Sequence, residues 1–194
     1  PIELYYWPTS NGFKISIFLE EAKYPYNLNY VNISKGEQFE PSFLKISPNN
    51  RMPAIIDPDG PDGREISIFE SGAILQYLGR KTEMFYPSDY RKQIEVDQWL
   101  FWQVGNLGPM GGQAHHFRNY SQTKLQYAID RYTNEVNRLY GVLNKKLSDG
   151  REYIAEDYTI ADMACIGWGR NPERKGQDLE NFSYLKLWFE RMMA

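Results

Sequence analysis

The chain has 194 residues, 42% hydrophobic and 24% charged, with a formal net charge of −3 at pH 7. That is ordinary globular material, enough for one large domain or two small ones, and it argues against a disordered chain or a broad basic field that wraps nucleic acid. No uninterrupted apolar run approaches the roughly 18 residues of a membrane span. The one cysteine, Cys165, cannot form an intrachain disulfide, and the chain does not open with a secretory signal pattern, so the expected setting is a reducing cytoplasm.

Glu3 to Trp7 reads as a short buried strand, and Pro8 to Gly12 supply turn residues ahead of a helical pattern. Between Phe13 and Lys23, Ile15, Phe18, Leu19 and Ala22 recur at helical spacing and predict a core-facing stripe, with Lys14, Glu20, Glu21 and Lys23 on the wet side. Tyr30 to Ile33 is expected as a second strand, which closes a βαβ unit of the length a parallel crossover needs. A polar segment, Ser34 to Pro48, follows. Pro53 to Asp57 and Glu65 to Phe69 then read as two strands joined by the turn-forming DPDGPDG, and Ser71 to Arg80 as a helix.

Pro87 and its polar neighbours interrupt the pattern between Thr82 and Arg91, and strand signals largely vanish beyond them. The expected organisation is a first domain at 1–82, a linker at 83–91 and an all-helical second domain at 92–194. Val96, Trp99 and Leu100 begin one amphipathic face, and Leu125, Ala128, Ile129, Tyr132, Val136, Leu139, Tyr140, Leu143 and Leu147 form a long stripe. The glycine-rich GNLGPMGGQ is expected to bend or break its helix. Thr159 and Asp162, in TIAD, have the spacing of a capping box, with Asp in place of the commoner Glu. The chain stops at Ala194 inside a helical pattern, an ending that leaves room for further C-terminal sequence.

The strings PTSNGFKI, GEQFEPSFLKISPNNRMPAI, FESGAILQYL, QWLFWQVGNLGPMGGQAHHF and YTIADMAC together resemble the cytosolic glutathione transferases. Within them they resemble the bacterial disulfide-reductase branch called nu class and its yeast nitrogen-regulator relatives. The resemblance covers nearly the whole chain. It implies an α/β plus all-α fold: a thioredoxin-like N-terminal domain (βαβ–ββα) followed by a helical-bundle C-terminal domain, usually paired as a homodimer with active sites beside the interface. It also implies glutathione, reduced or as its disulfide, as bound co-substrate. No cysteine stands at the head of the first helix, where a thioredoxin would need one, so the reactive sulfur would arrive with the ligand.

The candidate site residues follow from that match. A helix N-terminus presents unpaired N–H groups and the positive end of its dipole, and both favour a nearby thiolate. In the family the residues matching Thr9 and Asn11 lie near the sulfur, with Ser10 the alternative at the same turn; read alone, the turn is an ordinary N-cap. Met52-Pro53 matches the family's cis-proline, where the main chain of the preceding residue pairs with the cysteinyl part of the peptide like an added strand. Ser71 is expected to cap its helix while N–H groups there receive the γ-glutamyl carboxylate, and Glu70 to pair with the α-amino group. Gln38 matches the residue that reaches the glycyl end.

Arg131 lies with Lys124, Tyr127, Asn134 and Arg138 on the face opposite the apolar stripe. In the nu-class branch the matching arginine reaches glutathione in the other subunit, which suits a guanidinium fork meeting carboxylates; the plain alternative is a solvated side chain.

Other chemistry-bearing residues read as structural. His115 and His116 point to different sides of a helix with no further ligand at metal spacing, so no metal site is expected. Trp99, Phe101, Trp102, Met110 and Phe117 read chiefly as core, with some lining an acceptor pocket, and Cys165 as a small buried hydrophobe. Three functions are weighed: a glutathione-dependent disulfide oxidoreductase that uses no protein cysteine, a transferase conjugating glutathione to small electrophiles, and a non-catalytic glutathione-binding regulator. Partners are accordingly glutathione, a small disulfide or electrophile, and a second copy of the chain, with no nucleic acid and no membrane.

Overall fold

Alternation along β1 (Ile2–Tyr6) sends Ile2, Leu4 and Tyr6 into the core. The computed structural model describes every residue from Pro1 to Ala194 and divides into two compact units, Pro1–Tyr86 and Pro87–Ala194. In the first, β1 is followed by α1 (Ser10–Glu21), β2 (Tyr26–Tyr30), two short 3₁₀ turns, α2 (Pro41–Leu44), β3 (Ala54–Asp57), β4 (Ile66–Phe69) and α3 (Ser71–Thr82). The sheet order is β2-β1-β3-β4, with β1 and β2 parallel and the β1/β3 and β3/β4 pairs antiparallel. This is a thioredoxin-like sheet. Helices α1 and α3 pack on each other, and their apolar residues, Ile15, Phe18 and Leu19 on one and Ile74, Leu75 and Leu78 on the other, are all fully buried.

Two elements of the first unit depart from the sequence expectation. The second strand is Tyr26–Tyr30, whereas Ile33–Lys35 is a 3₁₀ turn whose cap, Asn32, accepts the Ser34 N–H. The strand lacks an apolar signature because Asn27 and Asn29 donate to the two carboxylate oxygens of Glu3, at 2.6 and 2.8 Å, which satisfies an edge face with amides. Lys14, expected on the wet side of α1, is only 1% exposed, and its Nζ donates to Ser71 Oγ at 3.0 Å.

The end of β3 is tied to α3 by a polar cluster. Asp57, 2% exposed, accepts from Tyr77 Oη at 2.6 Å and pairs with Lys81 Nζ at 2.8 Å. Burial alone would raise the Asp57 carboxyl, but bonds from Lys81, Tyr77 and the Asp59 N–H more than offset it and hold it below the ordinary range. Its folded pKa is therefore below its unfolded one, so the stability it contributes is present above the unfolded value, about 3.9, and is lost as the pH falls through the folded value. Lys81→Met is expected to destabilise the protein by about 1–3 kcal/mol at pH 7. Urea denaturation at stepped pH checks this: the gap between wild type and variant should close as the pH drops through the carboxylate range.

The second unit is helical: α4 (Tyr90–Trp102), a π-helical turn at Gln103–Leu107, α5 (Gly108–His115), a second π-helical turn at His116–Tyr120, α6 (Gln126–Lys146), α7 (Ile160–Gly169) and α8 (Ser183–Met193). The glycine-rich segment does not break the helix; its ladder widens instead. Pro109 has no N–H to give, and the Gly108 N–H reaches back five residues to Gln103 O. The absent side chain of Gly111 admits the Trp168 ring, which a Cβ there would meet at 2.8 Å.

Val136, Leu139, Tyr140 and Leu143 of α6 are buried, but Leu125 falls one residue before the helix and is 51% exposed, which corrects the start of the stripe. The capping box forms: Thr159 accepts from Ala161 N–H, and Asp162 Oδ2 accepts from Thr159 N–H. Cys165 is 1% exposed within α7.

Candidate functional site

The site is built on the head of α1, the loop before β3 and the head of α3, all in the first unit. Thr9 is the N-cap of α1, with φ −124° and ψ 167°, and its Oγ1 accepts the Gly12 N–H at 3.2 Å. The same hydroxyl donates to Met52 Sδ at 3.7 Å, which joins the first helix to the loop 43 residues on. Gly12 is needed at this turn because a Cβ there would lie 2.1 Å from Trp7 O.

The Met52–Pro53 peptide bond is cis. The loop leading to it is shaped by Ser47, fully buried, whose Oγ donates to Arg51 O at 2.6 Å, and by Asn50 in the left-handed region at φ 49°. Across from it, Glu70 stands at the N-cap position of α3 with φ 73° and ψ 113°, sparsely populated for a residue with a Cβ. Ser71 was expected to be the cap. It is instead the first helical residue, and its hydroxyl is turned to Lys14, so no side chain caps the first turn of α3. Those N–H groups and the helix dipole point toward anion binding.

Between these parts lies a cavity of about 210 Å³ lined by Asn11, Ser47, Arg51, Met52, Pro53, Phe69, Glu70 and Ser71. The structure thus brings Asn11, Met52, Pro53, Glu70 and Ser71 to one cavity, with Thr9 linked to it through Met52. Ser10, Gln38 and Arg131 are not part of the lining. Gln38 sits in the 3₁₀ turn Glu37–Phe39 with its Oε1 buried and without a hydrogen-bond partner, an acceptor for which a peptide N–H is the natural complement. Arg131 is exposed on α6.

Sequence reading missed Ser47, Arg51, Phe69 and Lys14. Arg51 and Phe69 directly adjoin residues it did select, Met52 and Glu70, and adjacency was the available signal. Lys14 offered none. In the second unit, the His115 ring lies 4.8 Å from that of Tyr120, and burial, then Arg174 and Lys175, push its pKa down. No three His, Cys, Asp or Glu side chains cluster as metal ligands would.

A thioredoxin-like half with a cis-proline loop, no cysteine at the head of α1 and a helical second half define the glutathione-transferase class of fold. Residues 1–80 match the family model "Glutathione S-transferase, N-terminal domain". The chain is 50% identical over 194 residues to the disulfide-bond oxidoreductase YfcG of Escherichia coli, covering 100% of this chain and 90% of that one. Among solved structures it is similar to a Pseudomonas putida glutathione transferase with one glutathione disulfide bound per subunit, at a TM-score of 0.95 and 38% identity, covering 100% of this chain and 86% of that one. It is also similar to a Pseudomonas fluorescens family member with two glutathione bound, at a TM-score of 0.94 and 41% identity, covering 100% of this chain and 88% of that one. The chain belongs to the glutathione S-transferase family.

Proposed function

We propose that the protein is a glutathione-dependent disulfide-bond oxidoreductase that works without a protein cysteine. The observation that carries this is that the one cysteine is buried in α7, while the head of α1, where a thioredoxin keeps its nucleophile, carries Thr9, Ser10 and Asn11. The identity to YfcG supports the same reaction class. In the balanced reaction two glutathione thiols donate two electrons to one small disulfide: one S–S bond breaks, the glutathione S–S bond forms, and two protons pass to the leaving thiolates.

The chain's residues supply position and electrostatics. Asn11, with the dipole of α1 and the Thr9 hydroxyl, steadies the sulfur anion. The main chain of Met52 holds the cysteinyl unit, the head of α3 with Ser71 takes the γ-glutamyl carboxylate, and Glu70 takes the α-amino group. Gln38 faces the glycyl end, and Arg131 reaches the ligand of a partner subunit. A homodimer is supported by Tyr90, Ile94 and Phe101, exposed by 75, 43 and 63% at helical spacing along α4, and a cytoplasmic location is proposed from a cysteine content that provides no intrachain disulfide.

Cys165→Ala is expected to retain at least about half of the wild-type rate of 2-hydroxyethyl disulfide reduction by glutathione, because a buried cysteine acts as a small hydrophobe. Loss of turnover with fold and glutathione binding intact would overturn the proposal. A high rate with halogenated nitrobenzenes and negligible disulfide turnover would assign the conjugating reaction instead.

A further inference from the structure

We infer that Lys14 is a positioning residue for the carboxylate end of the ligand: a buried cation on α1 that acts through Ser71 at the head of α3. Lys14 lies one turn into α1, is 1% exposed, and donates from Nζ to Ser71 Oγ at 3.0 Å. Ser71 is itself 8% exposed and lines the cavity. A serine hydroxyl has one hydrogen to give and two lone pairs to receive with, whereas an ammonium can only donate. Because Lys14 fills an acceptor site on Ser71, the Ser71 hydrogen is directed to a different acceptor, and the cavity is where a ligand carboxylate would offer one.

The charge behind the hydroxyl matters as well. An ammonium withdrawn from water acts strongly on the groups it faces, because little solvent screens it. Here it adds positive potential to a helix head whose first-turn N–H groups have no side-chain cap. Three sources therefore converge on one end of the cavity: the α3 dipole, the Ser71 hydroxyl and the Lys14 ammonium. Lys14 gives that end its demand for a negative group, and it is carried by the same helix whose head is assigned to the sulfur.

This rests on the glutathione reading above, and the experiment keeps the two apart. Binding of glutathione and of its analogue 4-aminobutanoyl-Cys-Gly, which keeps the amine and lacks only the α-carboxylate, is measured by calorimetry for wild type, Lys14→Met and Lys14→Arg. Wild type should prefer glutathione. Lys14→Met should weaken glutathione binding by roughly tenfold or more and analogue binding by less than about twofold, since only the former loses a charge-assisted contact. Lys14→Arg should recover most of the preference.

A folded Lys14→Met that loses the same factor for both ligands, or for neither, overturns the inference and leaves the proposed function standing. Wild type that binds neither ligand overturns both. Should Lys14→Met fail to fold, Lys14→Gln takes its place, because it keeps a polar donor on α1 and removes the charge. Lys14→Gln should show the same selective loss, and an unchanged preference for glutathione in that variant refutes the inference.

Discussion

Asn11→Ala is expected to lower kcat for disulfide reduction about a hundredfold while changing glutathione affinity by no more than about threefold, the pattern of a lost anion donor. Asn11 lines the cavity at the first turn of α1 and is assigned to the sulfur and not to the ends of the peptide. A thiol has an ordinary pKa near 8.5, and a donor aimed at the sulfur favours the thiolate. Its removal should therefore also move the rising limb of the pH–rate profile upward. Steady-state kinetics with titration of bound glutathione checks both; a loss of affinity with unchanged turnover would reject the role. Thr9→Ala makes a useful contrast, because Thr9 Oγ1 also caps α1 through the Gly12 N–H. That variant should lose about 0.5–2 kcal/mol of stability in addition to turnover, whereas Asn11→Ala should not.

The second large effect is on folding. Asp162→Ala is expected to destabilise the helical unit by about 3–5 kcal/mol, since it strands several buried donors at once. The carboxylate is fully buried and accepts from Thr159 N–H at 3.0 Å, from Ile154 N–H at 3.0 Å and from Trp188 Nε1 at 2.9 Å. It thereby fastens the segment before α7, the helix itself and α8 around one side chain. Burial pushes its carboxyl up to about 6 against the pull of those donors, so at neutral pH it is still largely ionised and accepts from all three. Urea unfolding followed by far-ultraviolet circular dichroism measures the loss, and a change below about 1 kcal/mol would show the capping box to be dispensable.

Much of this was legible from residue types alone. Thr159 and Asp162 announced a helix start through their spacing, and they make that box in the fold. The stripe of Ile15, Phe18 and Leu19 placed α1 against a core, and all three are buried. The second strand was displaced because its outward asparagines are satisfied by Glu3, a contact between residues 24 and 26 positions apart that period-2 hydrophobicity does not register. Lys14 was misread for a related reason. Its type assigns it to water, and only the approach of α3, 57 residues on, turns it into a buried partner of Ser71. The GNLGPMGGQ segment was expected to bend or break a helix; it does not break, because α5 continues from a π-helical turn whose wider ladder tolerates Pro109, and Gly111 leaves room for the Trp168 ring.

By itself the sequence determined the β-α-β and β-β-α halves of the first unit apart from the short α2, the helical character of the second, the N-cap turn at Thr9 and the cap at Thr159, and the lack of any cysteine at the head of α1. Each depends on neighbours within a few positions, where propensity, spacing and hydrogen-bond chemistry act directly on the chain. Only the tertiary structure decided which distant groups meet: the Thr9 hydroxyl with Met52 sulfur, Lys14 with Ser71, and Asn11 with Glu70 around one small cavity. Such meetings are set by how the buried faces of α1, α3 and the sheet close on one another, and that geometry is a property of the packed core.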